Sequence, residues 1–145
     1  MKFLLAPILT LISLFPLDWK LNFSDAKAVA ETENKMILLN FSGSDWCGPC
    51  IKLTKEVFGS PEFEKFASQN LVLVRADFPR QKKNQLEKTQ IVLNESLADQ
   101  YNKKGIFPLT VLIDSKGKVI KEWEGFQPST EKFIADIRAH AHITQ

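Results

Sequence analysis

Two cysteines separated by two residues are the first feature of this sequence that could do chemistry. Cys47 and Cys50 lie in the stretch WCGPC, and they are the only cysteines among the 145 residues. Cysteine pairs at this spacing occur in metal sites, in structural disulfides and in redox enzymes. Since no other cysteine is present, any redox role of the chain must come from this single pair.

Two interpretations without redox chemistry are the weaker ones. A structural zinc site needs four ligands, and besides the cysteines the chain offers His140 and His142 at its opposite end. The two histidines are two residues apart in a predicted helix, so they do not share a face, and a helix C-terminus is a favourable place for a positive charge. A purely structural disulfide would close a very short loop, and entropic stabilisation grows with loop length. A redox pair is therefore the leading interpretation.

The surroundings of the pair favour redox chemistry. The apolar run at residues 36–41 predicts a buried strand, and a helix is predicted to begin at the cysteines. Cys47 then lies at a helix N-terminus, where unpaired N–H groups and the helix dipole stabilise a thiolate. Cys50 lies one turn further along, close enough to attack a mixed disulfide formed at Cys47. Gly48 permits close approach of backbone, and Pro49 suits the first helical turn.

Trp46, directly before the first cysteine, has two interpretations. It could cover one side of the sulfur and limit the access of water. It could also be an ordinary packed aromatic residue, because tryptophan is usually buried for most of its surface.

The apolar pattern along the chain predicts strands that alternate with helices. Such alternation requires crossover connections and hence parallel strands in the centre of a sheet, while the final two strands form a hairpin. The predicted class is α/β, with a central mixed β-sheet flanked by helices on both faces. The strands are expected at residues 19–23, 36–41, 71–77, 109–114 and 118–124, and the N-terminal signals of the helices are Ser24, the cysteine motif, Ser60, an Asn84/Glu87 capping box, and Ser129 or Thr130.

The N-terminus suggests export. Lys2 precedes a predominantly apolar stretch of fifteen residues, too short for a typical membrane span but suited to a secretory signal. Small-residue cleavage patterns occur only at residues 26–30, which are interpreted as helix. Residues 1–17 are therefore expected to be a signal peptide or an N-terminal anchor, and residues 18–145 one domain. A buried N-terminal strand or helix is the alternative.

The charge distribution excludes some partners. The net charge is +2 with 25% charged residues spread along the chain, so nothing favours nucleic acid or an acidic membrane surface. No nicotinamide or flavin site is visible, and no cofactor is expected. The basic run RQKK at residues 80–83 could contact an acidic partner or could be a solvated loop.

From Trp19 onward the chain resembles the thioredoxin superfamily. The stretch WCGPC matches the active site of thioredoxins, GIFPLTVLID at residues 105–114 resembles their cis-proline segment, and SKGKVIKEWEGF resembles their closing hairpin with its glycine, Gly125. The stretches NFSGSDWCGPC and RADFPR are similar to those of small exported thioredoxin-like proteins of bacteria. The resemblance implies a thioredoxin-like fold.

The resemblance also implies roles for particular residues. Cys47 and Cys50 would be catalytic, and Trp46, Gly48 and Pro49 would contact the substrate. Pro108 would follow a cis peptide bond opposite the cysteines, and the backbone of Phe107 would pair with an extended substrate. The alternative for Pro108 is a proline at a strand start without a role in the site.

Two positions depart from the family pattern. The stretch NFSGSDWCGPC has one residue more before the Trp than thioredoxins have. Thioredoxins carry a buried aspartate on the strand before the motif, where this chain has Asn40, or Phe41 if the extra residue lies elsewhere. The family's nearby lysine is replaced by Leu73 on the next strand. None of these side chains can take a proton from Cys50.

The implied activity is that of a thiol–disulfide oxidoreductase. Thioredoxins have Gly-Pro between their cysteines. Among cysteine pairs of this type, thioredoxin has a reduction potential near the reducing end of the range, at about −270 mV. We therefore expect reduction of disulfides in exported proteins, in the periplasm or elsewhere outside the cytoplasm, with a membrane thiol-electron transporter as reductant. The alternatives are a disulfide isomerase or oxidase, and a non-catalytic binding module in which the pair is a redox-sensitive lock.

Overall fold

The computed structural model of the chain describes residues 16–143, within which five strands form one sheet. The strand order across the sheet is β1-β3-β2-β4-β5. β1 and β2 run parallel to β3, whereas β4 is antiparallel to both β2 and β5. The sheet is therefore mixed, as predicted. The strands are β1 (Trp19–Lys20), β2 (Met36–Ser42), β3 (Leu71–Asp77), β4 (Leu109–Ile113) and β5 (Val119–Glu124).

Helices cover both faces of this sheet, which confirms the predicted architecture. The helices α1 and α4 pack on one face, and α2, α3 and α5 pack on the other. A π-helical segment, Leu53–Phe58, continues α2 without a break, and a short 3₁₀ turn, Lys82–Asn84, precedes α4. The helices are α1 (Phe23–Glu33), α2 (Gly48–Lys52), α3 (Pro61–Asn70), α4 (Lys88–Tyr101) and α5 (Thr130–Ala141).

The alternation of β2 divides the interior into two cores. Side chains of Leu39 and Phe41 point into the core under α1 and α4, while Leu38 points into the core under α2, α3 and α5. Because neighbouring residues of a strand face opposite sides, Asn40 lies on the same side as Leu38 and hence beneath α2.

Several predicted helix boundaries are confirmed. Ser60 caps α3 by accepting a hydrogen bond from the N–H of Phe63, and Ser129 caps α5 in the same way through Lys132. The helix predicted at the cysteine motif begins directly after Cys47.

Two other predicted caps are wrong. The cap of α1 is Asn22, whose side chain accepts from the N–H groups of Ser24 and Asp25, and β1 is correspondingly only two residues long. Asn is as favourable an N-cap residue as Ser, so the helix begins earlier than predicted and includes the apolar Phe23. The Asn84/Glu87 capping box does not form, because Asn84 bonds to Asp45 and Glu87 makes no side-chain cap.

The predicted signal peptide or anchor at residues 1–17 lies outside the described residues except for its last two positions. Leu17 packs against the core under α2, α3 and α5. Within residues 16–143, none of the helices combines the length and the apolar character that spanning a membrane requires.

Candidate active site

Cys47 and Cys50 form a disulfide at the junction between β2 and α2, with their Cα atoms 5.2 Å apart. The chain leaves the buried strand, turns through residues 43–46 and enters α2 at Gly48. Cys47 is 6% exposed and Cys50 1% exposed, so the first sulfur is the one nearer to solvent. The order of exposure matches a pair in which an outer cysteine reacts and an inner one resolves.

Cys47 is the N-cap residue of α2. Its backbone is extended (φ −98°, ψ 102°), and the N–H of Cys50 donates a hydrogen bond to its Sγ at 3.3 Å. The helix end therefore directs an N–H group at the Cys47 sulfur. In the reduced state the same group and the helix dipole would stabilise a thiolate at this atom.

The remaining residues of the motif form the exposed tip of the site. Gly48 and Pro49 are exposed, and Pro49 occupies the first turn of α2, as predicted. Ile51, directly after the second cysteine, is 40% exposed although it is apolar. A neighbouring chain can therefore reach backbone and apolar surface immediately beside the disulfide.

The peptide bond between Phe107 and Pro108 is cis, which confirms the conformation implied by the resemblance. Pro108 directly precedes β4, and its carbonyl accepts a hydrogen bond from the N–H of Gly125 at 2.8 Å. Phe107 packs edge-to-face on Trp46, with 5.5 Å between ring centres. The structure thus brings Phe107 and Pro108 to the residue that precedes Cys47.

Trp46 is half-buried and held from several sides. Its indole N–H donates to the carbonyl of Phe78 at 2.7 Å, and the guanidinium of Arg80 stacks on its ring at 3.7 Å from the centre. A Cβ atom on Gly43 would overlap the ring, so only glycine leaves room for it. Trp46 is thus packed as in the second interpretation, while its place before Cys47 keeps it at the site.

Asn40 is the polar residue beneath the site, and Phe41 faces the opposite core. Asn40 is 1% exposed, and its amide donates to Thr110 Oγ1 at 3.1 Å and to the carbonyl of Leu109 at 3.4 Å. A neutral amide with both donors engaged cannot accept the proton of Cys50.

Sequence reasoning missed Arg75, which is the basic residue opposite Asn40. Asn40 pairs with Arg75 in the register of β2 with β3, whereas Leu73 pairs with Leu38, two residues earlier on each strand. The alternation of β3 indicates that Arg75 shares a face with Leu73, but its place opposite Asn40 depends on the register between the strands.

The guanidinium of Arg75 lies in an aromatic setting beneath the helix that carries the cysteines. It is 4.3 Å from the ring centre of Trp19 and 5.7 Å from that of Phe58, and it donates to Thr54 Oγ1 at 3.4 Å. Its Nε is buried without a hydrogen-bond partner among the described residues. Burial lowers the pKa of Arg75 to about 10, with the charge of Asp77 acting in the opposite direction. The side chain therefore stays cationic at neutral pH.

The two histidines lie at the end of α5, as predicted. His140 is bonded to Asp136 one turn earlier, and His142 is the C-terminal cap residue. Across residues 16–143, no three His, Cys, Asp or Glu side chains cluster closely enough to hold a metal ion.

Comparison with known proteins places these features in a family. A family model described as thioredoxin-like matches residues 18–115. The disulfide bond reductase DsbH of Chlamydia pneumoniae is 38% identical over 112 residues, which are 77% of this chain and 64% of that protein. The thioredoxin-related protein DsbJ of Chlamydia pneumoniae is 40% identical over 60 residues, 41% of this chain and 17% of that protein. The chain thus spans less than two thirds of the length of these curated relatives.

A solved structure agrees with the sequence match. The structure titled DsbH oxidoreductase superposes with a TM-score of 0.83 at 30% identity, covering 99% of this chain and 96% of that one. The family model, this superposition, the cysteine pair between β2 and α2, and the cis bond before Pro108 lead to the same result. The chain belongs to the thioredoxin-like family.

Proposed function

We propose that the protein is a thiol–disulfide oxidoreductase that reduces disulfides of exported proteins through a Cys47–Cys50 dithiol/disulfide cycle. The observation that carries the proposal is the hydrogen bond from the Cys50 N–H to the Cys47 sulfur at the N-terminus of α2. This hydrogen bond stabilises a thiolate at Cys47, while Cys50 lies buried behind it as the second thiol.

The first step starts from the reduced pair. The Cys47 thiolate attacks one sulfur of a substrate disulfide, so that a bond forms between Cys47 and that sulfur while the substrate S–S bond breaks. The second substrate sulfur leaves as a thiolate and takes a proton from water. The product is a mixed disulfide between protein and substrate.

The second step releases the substrate. Cys50, as a thiolate, attacks the Cys47 sulfur, and the bond between Cys47 and the substrate breaks. The remaining substrate sulfur leaves and is protonated, so the substrate gains two electrons and two protons in all. The protein is left with the Cys47–Cys50 disulfide, the form described above.

Substrate binding is assigned to the surface around the pair. In the described part of the chain, the backbone N–H and C=O of Phe107 make no backbone hydrogen bond, so both can pair with an extended segment. Pro108 fixes the position of this backbone next to Trp46, while Gly48 and Pro49 leave the Cys47 side open.

The direction of electron flow and the place of action are further parts of the proposal. Gly48 and Pro49 favour a reducing pair, and the relative from Chlamydia pneumoniae is named as a disulfide bond reductase. Residues 1–17 serve as a signal peptide or an anchor, so the protein acts in the periplasm or elsewhere outside the cytoplasm. A membrane thiol-electron transporter returns the pair to the dithiol state.

Insulin reduction with a chemical thiol as electron source tests the activity. We expect Cys47→Ser to abolish turnover, and Cys50→Ser to accumulate covalent complexes with substrate because the second step is lost. Cys47→Ser serves as the matched control for trapping. It also removes one thiol, but it leaves no thiol at position 47, the one nearer to solvent. Full insulin reduction by the Cys47→Ser variant would contradict the proposal.

A non-catalytic, redox-sensitive binding module is the second candidate, favoured by one observation. Asn40 stands where a proton acceptor for Cys50 would be needed, and it cannot act as a base. Partner binding that survives replacement of both cysteines by serine, without any insulin reduction by the native protein, would favour this reading. A measured potential well above that of thioredoxin would instead favour an isomerase or oxidase.

A further inference from the structure

The segment that follows β3, residues 78–85, is anchored to the cysteine motif by Asp45. The carboxylate of Asp45 accepts hydrogen bonds from the N–H groups of Arg80 and Gln81, both at 2.9 Å, and from the side-chain amide of Asn84 at 3.0 Å. In return, the side-chain amide of Gln81 donates to the Asp45 carbonyl at 3.2 Å. Four bonds to one residue hold this loop, hereafter the basic loop, in a defined position next to Trp46.

Arg80 extends the contact to the aromatic part of the site. Its guanidinium stacks on the Trp46 ring, and the indole N–H of Trp46 donates a hydrogen bond to the carbonyl of Phe78. Phe78 also packs edge-to-face on Phe107, with 5.4 Å between ring centres. The basic loop therefore forms one wall of the surface on which a substrate chain would lie.

The outward face of this wall is cationic. Arg80, Lys82 and Lys83 are exposed, and none of them takes part in an ion pair within the described residues. The acids beneath the loop are engaged by other donors: Asp45 by the loop itself, and Asp77 by Ser44 and by its own neighbour's N–H. Three cations thus face solvent at the edge of the site, while the nearby carboxylates of Asp45 and Asp77 accept hydrogen bonds from other groups.

We propose that the basic loop recognises an acidic segment that flanks the target disulfide in the protein substrate. This inference rests on the proposed function and names the substrate class of the same site. Opposite charges within a Debye length, about 8 Å at physiological ionic strength, speed encounter and fix the orientation of a bound chain. Since Trp46 directly precedes Cys47, an acidic residue held at Arg80 lies only a few residues from the disulfide being attacked.

An acidic protein segment fits this surface better than an anionic membrane does. Membrane recognition by charge alone uses clusters of about four to eight basic residues, and the basic loop presents three. Asp45 also holds the backbone that carries these cations next to Trp46, and the Arg80 guanidinium is placed by its stacking on the Trp46 ring. Cations held at a defined place beside the cysteines suit a protein substrate, because its acidic residues lie at a fixed distance from its own disulfide.

Two disulfide peptides of identical core sequence test the inference, one flanked by glutamates and one by lysines. We expect the native protein to reduce the acidic peptide with the higher kcat/KM, and added salt to weaken this preference. In the Lys82→Glu/Lys83→Glu variant the preference should fall about tenfold, mainly through KM. The matched control is Lys116→Glu/Lys118→Glu, which makes the same charge change in the exposed turn at the far end of β4 and should keep the preference.

The outcomes separate this inference from the proposed function. Equal kcat/KM for both peptides in the native protein, or equal losses in both double variants, would overturn the basic loop as a recognition surface while the reductase activity stands. Reduction of neither peptide would count against the proposed function instead. Binding of the native protein to anionic vesicles, lost in the Lys82→Glu/Lys83→Glu variant and without any peptide preference, would assign the cations to a membrane and also overturn the inference.

Discussion

Asn40 lies directly opposite Arg75 in the parallel pairing of β2 with β3, and both side chains lie under the helix that carries Cys50. One member of this pair is a neutral amide and the other is a cation without an ion-pair partner among residues 16–143. A positive charge thus lies beside Asn40, on the face of the sheet that α2 covers. Because a partly buried cation without an ion-pair partner is costly, a negative charge that forms nearby is favoured.

The first prediction concerns Arg75→Met, which removes this charge and keeps a flexible apolar side chain. Arg75 bonds to Thr54, one helical turn beyond Cys50, so its charge favours the thiolate that must form there. We expect the step that resolves the mixed disulfide to slow by about tenfold, which corresponds to about 1.4 kcal/mol of lost charge stabilisation. Rapid quenching of the reaction with an aromatic disulfide, followed by mass spectrometry, measures the decay of the mixed disulfide.

Arg138→Met is the matched control for this variant. Arg138 stacks on Phe66 at 4.7 Å from the ring centre, so the control loses an arginine on an aromatic ring away from the cysteines. Loss of the Trp19 contact in Arg75→Met is offset by relief of a buried charge, so the free energy of unfolding should change by no more than about 1 kcal/mol. Equal resolution rates in both variants would show that Arg75 does not act on Cys50.

The second prediction is that Asn40→Asp accelerates the same step. An aspartate opposite Arg75 would provide the proton acceptor that the native site lacks, so resolution should become faster at neutral pH and slow down when the new carboxylate is protonated. The cost is stability, by about 1–3 kcal/mol, because the carbonyl of Leu109 loses its donor. The rate is measured by the quench experiment and the stability by urea unfolding.

Asn94→Asp separates the chemical effect from the structural one. Asn94 is equally buried and donates to the carbonyl of Asp77, but it lies on α4, on the other face of the sheet. The control should lose stability without any gain in rate. If Asn40→Asp resolves the mixed disulfide no faster than the native protein at any pH, proton removal does not limit the step.

The sheet and the position of the disulfide were predictable because they depend on strong local patterns. Apolar runs of strand length predicted β2, β3 and β4, and the WCGPC stretch between a strand and a helix located the pair. Arg75 was not found, since its role depends on the register between β2 and β3, which a single sequence does not specify. The π-helical segment after α2 was likewise missed, because Leu53 and Val57 fit an ordinary helical period.

Contacts between loops that are distant in the chain could also not be predicted from the sequence. The run at residues 80–83 could not be distinguished from a solvated loop, since Asp45 lies 35 residues before Arg80. The alternation and capping patterns used for prediction act over a few residues only. For the same reason the local pattern predicts a helix cap at Asn84, whereas its side chain bonds to the distant Asp45.

The third prediction concerns the acid dependence of the basic loop. Hydrogen bonds from the Arg80 N–H and the Asn84 side chain lower the pKa of the Asp45 carboxyl below its usual value of 3.8. A lowered pKa means that the ionised form is favoured in the folded state, so the anchoring is complete above pH 3.8 and is lost only as the pH falls through the lower folded value. Backbone amide signals of Arg80 and Gln81 should therefore keep their positions down to about pH 4 and shift below it.

Asp45→Asn checks the assignment at neutral pH. An asparagine side chain has one acceptor oxygen in place of two, so the bonds to Arg80 and Gln81 cannot both be kept. Amide exchange should become faster at these two residues and stay unchanged at Ser44, which is bonded to Asp77. Unchanged exchange throughout would mean that the Asp45 carboxylate does not hold the loop.

The fourth prediction compares Gly43→Ala with Gly48→Ala. A methyl group at Gly43 would overlap the Trp46 ring, whereas a methyl group at Gly48 meets no atom within 4 Å. Gly43→Ala should therefore displace the indole from the Phe78 carbonyl, shift the tryptophan fluorescence and lower the free energy of unfolding by about 1–3 kcal/mol. Gly48→Ala should leave both readouts near those of the native protein. Identical fluorescence and stability in the two variants would show that the turn before Cys47 can yield, and that Trp46 is not fixed by the close approach of Gly43.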